Sequence, residues 1–225
     1  MNSVPMTACR RAGLVVKAAF DRVAAAIALI VLSPLLLVIA VSIKLTSPGP
    51  VFFRQQRAGL WGRPFWIYKF RTMVVGAERI GLRYHVTADD PRITPLGRLL
   101  RRLSLDELPQ LINVLRGEMS LVGPRPTLLY QVERYDARQR LRLAMRPGIT
   151  GWAQVNGRST LPWSARIEHD IWYVEHWSLW LDLVILLRTF SVIFQSEGVY
   201  HEGAGDAISR QDEPAESSSD ASDGR

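Results

Sequence analysis

The chain has a single cysteine, Cys9, among 225 residues. That excludes an internal disulfide framework and is compatible with a reducing compartment. It has no standard glycine-rich nucleotide fingerprint, so its glycines alone point only weakly to a nucleotide. Charge is absent from the whole interval between Arg22 and Lys44, where Val23 to Ile43 is nearly all Ala, Val, Leu and Ile. About 20 such residues are just enough to span a bilayer. No small-residue cleavage site follows in SIKLTSPGP, which argues against a cleaved signal peptide.

What is present bounds the rest. With 225 residues and 48% hydrophobic content, the chain can bury one sizeable core but not two independent ones. Residues 201–225 hold seven acids against Arg210 and Arg225, which leaves 26 basic and 14 acidic side chains, a net +12, in the other 200 residues. Such an excess calls for an anionic partner: nucleic acid, anionic lipid or a phosphorylated substrate.

The apolar run is interrupted near its middle by Ser33 and Pro34. Proline removes a backbone donor and bends or breaks a helix, and Ser33 can satisfy the carbonyl so freed. Both flanks are basic: Arg10, Arg11, Lys17 and Arg22 precede the run, and Lys44, Arg54, Arg57, Arg63, Lys69 and Arg71 follow it. Positive charge favours the cytoplasmic side, so a helix-break-helix hairpin that enters one leaflet and returns suits both flanks. Three segments result: residues 1–46 with the membrane element, 47–200 as the main folded domain, and an acidic, Ser-rich tail at 201–225 expected to be disordered.

After the Ser47-Pro48-Gly49-Pro50 linker, residues 51–56 and 65–71 read as extended runs joined through Gly59, Gly62 and Pro64, a hairpin or loop pair. Alternation in the second run puts Lys69 and Arg71 on the face of Phe65 and Ile67. Leu96, Leu99, Leu100 and Leu103 repeat at helical spacing and carry Arg98, Arg101 and Arg102 on other faces.

Residues 101–126, RRLSLDELPQLINVLRGEMSLVGPRP, crowd acid, base and tight turn together. Two readings of Asp106 and Glu107 stand side by side. Ser104 and Glu107 have capping-box spacing, and an acid in the first turn complements the helix dipole, so the pair can simply start a helix. Alternatively, one carboxylate attacks phosphorus and its neighbour binds Mg2+, while arginines hold phosphate oxygens. Leu108, Leu111, Ile112 and Leu115 continue an apolar helical stripe that Gly117 ends. Arg125 stands between two prolines, which limits the freedom it loses on ordering around an anion.

Residues 130–146 read as a polar helix whose arginines are solvated or touch lipid headgroups. In PGITGWAQVNGR three glycines allow close backbone approach to a ligand, and Arg158 is placed to meet a phosphate. Trp163, Trp172, Trp177 and Trp180 suit either interfacial helices or core packing. Residues 179–194 are apolar but carry Asp182 and Arg188, and read as a buried or interfacial helix.

The segments YKFRTM, SLDELPQLINVLRGEMSLVGPRP and RPGITGWAQVNGR resemble the bacterial sugar transferases known as monotopic phosphoglycosyl transferases, over roughly residues 17–199. The resemblance implies a mostly helical α+β fold: a re-entrant membrane helix, then a small cytosolic catalytic domain with amphipathic interfacial helices. It implies transfer of a sugar 1-phosphate from a UDP-sugar to polyprenyl phosphate, with Asp106 as nucleophile, a covalent phosphosugar-aspartate, UMP as leaving group and Mg2+ bound by Glu107 beside Asp106. Lys69, Arg71, Arg101, Arg125 and Arg158 become substrate or phosphate contacts, with Asp170 and Asp182 in support. The implied location is the bacterial inner membrane, catalytic domain on the cytoplasmic face, in contact with lipid and without nucleic acid; a homo-oligomer is left open. The alternative is a catalytically inactive membrane-anchored scaffold of the same fold.

Overall fold

The computed structural model describes residues 7–77, 90–157 and 161–195. Helix α1, Ala8–Thr46, starts where the Thr7 side chain accepts a hydrogen bond from the Arg10 backbone N–H. At 39 residues it is about 58 Å long, twice the hydrocarbon thickness of a bilayer. Its length and composition suffice to cross a membrane. Pro34 leaves the Ile30 carbonyl without its usual helical donor. The Ser33 hydroxyl donates to that carbonyl at 2.7 Å. Helical structure therefore runs on through Ser33 and Pro34, and any re-entry there takes the form of a bend within one continuous element.

The inward face of α1 is a stripe at three- and four-residue spacing: Lys17, Asp21, Ala25, Ile39 and Ile43 are buried, with Leu29, Leu32 and Leu36 packed between. Phe20, Val23, Ile27, Ile30, Val38 and Leu45 are exposed on the rest of its surface. The helix thus lies along the domain over most of its length and offers its other face outward.

Strands β1 (Phe52–Ala58) and β2 (Pro64–Phe70) pair antiparallel, with Phe53 opposite Lys69. Phe65 and Ile67 pack inward against Ala25, Leu111, Val114 and Met119, so the expected alternation carries Lys69 inward too. Helix α2, Pro95–Arg102, is capped by the Thr94 side chain, which accepts from Gly97 N. Only half of its leucine stripe is covered: Leu100 is buried with Ile39, Ile43 and Phe70, whereas Leu99 and Leu103 are exposed.

The expected helix after the acidic pair is α3, Gln110–Arg116, and Gly117 ends it in the left-handed conformation at φ 77°. Its burial differs from the leucine stripe, since Gln110 and Asn113 are inside while Leu115 is 43% exposed. Asn113 explains the shift. Its side chain accepts from Tyr68 N at 3.1 Å and donates to Trp66 O at 2.7 Å and to Glu118 at 2.8 Å, sewing α3 to the edge of β2.

Strand β3, Ser120–Val122, pairs parallel with β4, Gly148–Thr150. This pairing was not anticipated. A side chain at Gly148 would come within 2.1 Å of Gly123 N, so the pairing requires glycine there. Residues 130–146 do not form one helix. Helix α4, Leu129–Glu133, stops, and a 3-10 segment covers Gln139–Ala144. The break lies at Asp136 and Gln139, whose side chains each accept the other's backbone N–H and so compete with helical bonding.

Helix α5, Trp152–Val155, precedes α6, Trp163–His176, and α7, Leu179–Gln195. The two readings of the tryptophans divide between residues: Trp163 and Trp177 pack against core clusters, while Trp180 is 71% exposed beside exposed Leu187 and Phe190 on α7. Arg158 and the acidic tail lie outside the described residues.

Replacing Asn113 by Ala strands a β2 amide and a β2 carbonyl in a part-buried setting. Chemical denaturation should show a loss of roughly 2–4 kcal/mol, and unchanged stability would refute the role given to this side chain.

Candidate active site

The acidic pair sits on a single 3-10 turn, Leu105–Glu107, rather than at the start of a capped helix. Ser104 has φ 55° and its side chain makes no capping bond. The capping box is therefore not formed. A serine in the left-handed region is strained, and the strain points Asp106 and Glu107 away from the helical path of α2.

Glu107 is the electrostatic junction of the site. Its Oε1 accepts from Lys69 Nζ at 2.8 Å and from Arg125 Nη2 at 2.7 Å, while Oε2 has Arg125 Nη1 at 3.4 Å. Burial alone would raise its pKa, but Arg125 and Lys69 outweigh burial and hold the carboxyl far below its ordinary range. Arg125, with 48% of its side chain exposed, is in turn kept charged by Glu107.

Asp106 differs from its neighbour. It is 9% exposed, and burial is the chief reason its pKa is pushed up to about 6, against the pull of Lys69. The charge of Glu107 pushes the same way, while Arg101 and Arg125 oppose. Two adjacent carboxylates are thus driven apart, one strongly ionised and one poised near neutrality. That separation is how a site assigns two roles to identical groups.

Among the described residues no group of three or more His, Cys, Asp or Glu gathers into a metal cage. The pair nevertheless fits Mg2+, which takes one or two carboxylates and completes its shell with phosphate oxygens and water. Both Asp106 oxygens and the weakly engaged Oε2 of Glu107 would supply hard ligands of that kind.

The other expected residues are placed as follows. Lys69 and Arg125 meet the pair directly. Arg101 acts on Asp106 through its charge while its Nε donates to Thr72 Oγ1 at 2.8 Å. Arg71 turns elsewhere: its Nη2 donates to Ser47 O at 2.7 Å, and its Nη1 lies so close to Gly49, at φ +112°, that a side chain there would come within 2.3 Å. It clamps the linker behind α1.

Asp182 faces α1, where it takes Lys17 Nζ at 2.6 Å, Tyr173 OH at 2.6 Å and Trp177 Nε1 at 3.1 Å. Asp170 is bound by Arg142. Neither aspartate touches the acidic pair. Arg142 belongs to a run most of whose arginines were expected in solvent or against lipid headgroups, and it is 2% exposed. Its surroundings in sequence, RLRLAM, carry no period that distinguishes it.

Comparison with known proteins follows from these residues. A family model described as "Bacterial sugar transferase" matches residues 12–196. The "Uncharacterized sugar transferase EpsL" of Bacillus subtilis (strain 168) is 46% identical over 83% of this chain and 91% of its own length. The UDP-glucose:undecaprenyl-phosphate glucose-1-phosphate transferase of Xanthomonas campestris pv. campestris is 47% identical over 84% of this chain and 42% of its own. A UDP-N-acetylgalactosamine-undecaprenyl-phosphate N-acetylgalactosaminephosphotransferase of Aeromonas hydrophila is 44% identical over 81% of this chain and 44% of its own. The chain spans less than half the length of the last two.

The raised carboxyl gives a signed pH prediction. Below about pH 4 Asp106 is protonated folded or unfolded; from about 4 to 6 only the folded protein keeps the proton. Its contribution to stability is complete below about pH 4 and is lost as pH rises through about 6. Asp106→Asn should therefore melt a few degrees higher than the parent at pH 7.5 without metal. Equal or lower melting temperatures contradict the burial argument.

Proposed function

Because the chain belongs to the bacterial sugar transferase family, we propose that it transfers a sugar 1-phosphate from a UDP-sugar to a polyprenyl phosphate at the bacterial inner membrane. The observation that carries the reading is the buried Asp106 beside a Glu107 gripped by Lys69 and Arg125. The Xanthomonas and Aeromonas relatives are named as undecaprenyl-phosphate sugar-phosphate transferases.

In the first step an Asp106 carboxylate oxygen attacks the β-phosphorus of the UDP-sugar. The bond from that phosphorus to the oxygen bridging the α-phosphate breaks, and UMP leaves with the electron pair. In the second step an oxygen of polyprenyl phosphate attacks the same phosphorus, the bond to Asp106 breaks, and a polyprenyl diphosphate sugar forms. Lys69, Arg101 and Arg125 bind and orient the phosphate oxygens, whose negative charge would otherwise repel the nucleophile. Mg2+ bound by Glu107 and Asp106 would neutralise diphosphate charge and favour departure of UMP. Burial serves the same end, since a carboxylate with little water around it is a better nucleophile.

Relatives for glucose and for N-acetylgalactosamine match this chain almost equally, at 47% and 44% identity. The donor is accordingly proposed only as a UDP-sugar, and the product as the first lipid-linked intermediate of a polysaccharide.

Topology belongs to the same proposal. A helix that lies on its own catalytic domain from Lys17 to Ile43 would draw that domain across the bilayer if it spanned straight. Re-entry around Ser33 and Pro34 keeps both ends on the cytoplasmic side and immerses the outward apolar faces of α1 and α7 in one leaflet. Cys9 is exposed and has no competing thiol. A membrane-impermeant maleimide should label it only from the cytoplasmic face; labelling from outside intact cells overturns re-entry.

The chemistry is tested by incubating the purified protein with UDP-sugars, Mg2+ and no acceptor. A phosphosugar mass on the peptide containing Asp106 and one equivalent of UMP are expected. Asp106→Asn should lose UMP release by at least about 10³-fold, and EDTA should stop it. Turnover that needs acceptor before any UMP appears rejects the covalent step.

A further inference from the structure

We propose that Arg142 is a positioning residue that fixes the loop carrying Arg125, and that Asp170 and Tyr135 exist to hold Arg142 for that purpose. The proposal rests on the reading of Arg125 as a phosphate contact.

Arg142 is 2% exposed and Asp170 1% exposed. A fully buried ion pair is poor at stabilising a fold, because desolvation offsets the attraction and an apolar replacement is often as good. This pair is also not arranged for stability. One oxygen of Asp170 binds Arg142, yet among the described residues Oδ1 has no hydrogen-bond partner. The guanidinium itself is held firmly, for it donates to Tyr135 OH at 2.6 Å and lies over the rings of Tyr135 and Trp163 at 5.7 and 5.6 Å.

So held, Arg142 donates from Nη2 to the backbone carbonyl of Arg125 at 3.1 Å. That carbonyl belongs to a loop in which two prolines contribute no N–H, leaving its carbonyls as the main backbone handles. Each is taken by a residue outside the loop, two of them on β1. Pro124 O accepts from Gly148 N at 2.9 Å, Pro126 O from Arg57 at 3.4 Å and Thr127 O from Ala58 N at 2.9 Å. Arg142 supplies the hold at Arg125 itself, the residue whose side chain reaches Glu107 at 2.7 Å. The chain of contacts therefore runs from Asp170 through Arg142 and the Arg125 backbone to the site. Asp170 gains its supporting role by this route, without touching the acidic pair.

Substitution separates positioning from bulk structure. Arg142→Lys and the milder Tyr135→Phe are compared with Arg125→Ala and with both double variants, reading kcat and KM for UMP release and the melting temperature. Arg142→Lys should lower kcat by about 10- to 100-fold and Tyr135→Phe by about 2- to 5-fold. In the Arg125→Ala background neither should lower it further, since the group they position is gone. Losses that multiply in the double variants overturn the proposal. Should Arg142→Lys fail to fold, Tyr135→Phe carries the same cycle.

A readout independent of turnover accompanies it. Amide exchange in the peptide covering residues 123–127 should quicken in Tyr135→Phe, with α3 and the hairpin unchanged. Parent-like protection of that peptide rejects the proposal whether or not UMP is released. Absence of UMP release by the parent with every UDP-sugar rejects the transferase reading instead.

Discussion

The site depends on one carboxylate. Oε1 of Glu107 draws Lys69 from the hairpin and Arg125 from the loop after β3 to the same atom, so three segments distant in sequence close on one point. Desolvation opposes placing a carboxylate there, and two cations are the compensation that permits it. With Glu107 so committed, Asp106 one residue away is left buried without a comparable cation pair. The asymmetry between the acceptor of cations and the carboxyl poised near neutrality arises from geometry, because the two side chains differ by one methylene.

The scaffold that holds this junction is built against a helix that water does not favour. Helix α1 contributes Ala25, Leu29 and Leu32 to the cluster behind the hairpin and α3, and Ile39 and Ile43 to the cluster behind α2. These two clusters thus share their core with α1, whereas the cluster around Ile167 and Ile171 is built without it. Lys17 and Asp21 lie on the same inward stripe, and their partners Asp182 and Ser120 tie α1 to α7 and to β3. Lys17 and Asp21 are therefore fastened inward, while Arg22 and Lys44 at the two edges of the apolar run are exposed.

Much of this was legible in the sequence where it rests on short periods. Alternation along 65–71 put Lys69 with Phe65 and Ile67, and Gly117 marked the end of α3. Ser33 was seen as the group able to serve the carbonyl that Pro34 frees, and it does. The leucines of α2 and α3 misled in part, since a period shows which residues share a face but not whether that face meets protein or lipid. Leu99, Leu103 and Leu115 are exposed, while Asn113 went unnoticed because its three bonds reach partners outside its helix.

By itself the sequence determined the apolar segment with its proline, the adjacent carboxylates, the arginine held between prolines and hence the family. These are covalent neighbours or near repeats, readable without knowing where the chain goes. Only the tertiary structure decided which charge meets which. It gave Arg71 to the linker, Asp182 to Lys17 at a separation of 165 residues and Asp170 to Arg142 at 28, and it paired β3 with β4. A charged side chain has the same one-letter code whether it is solvated or buried, and partners so far apart are chosen by how the core closes around them.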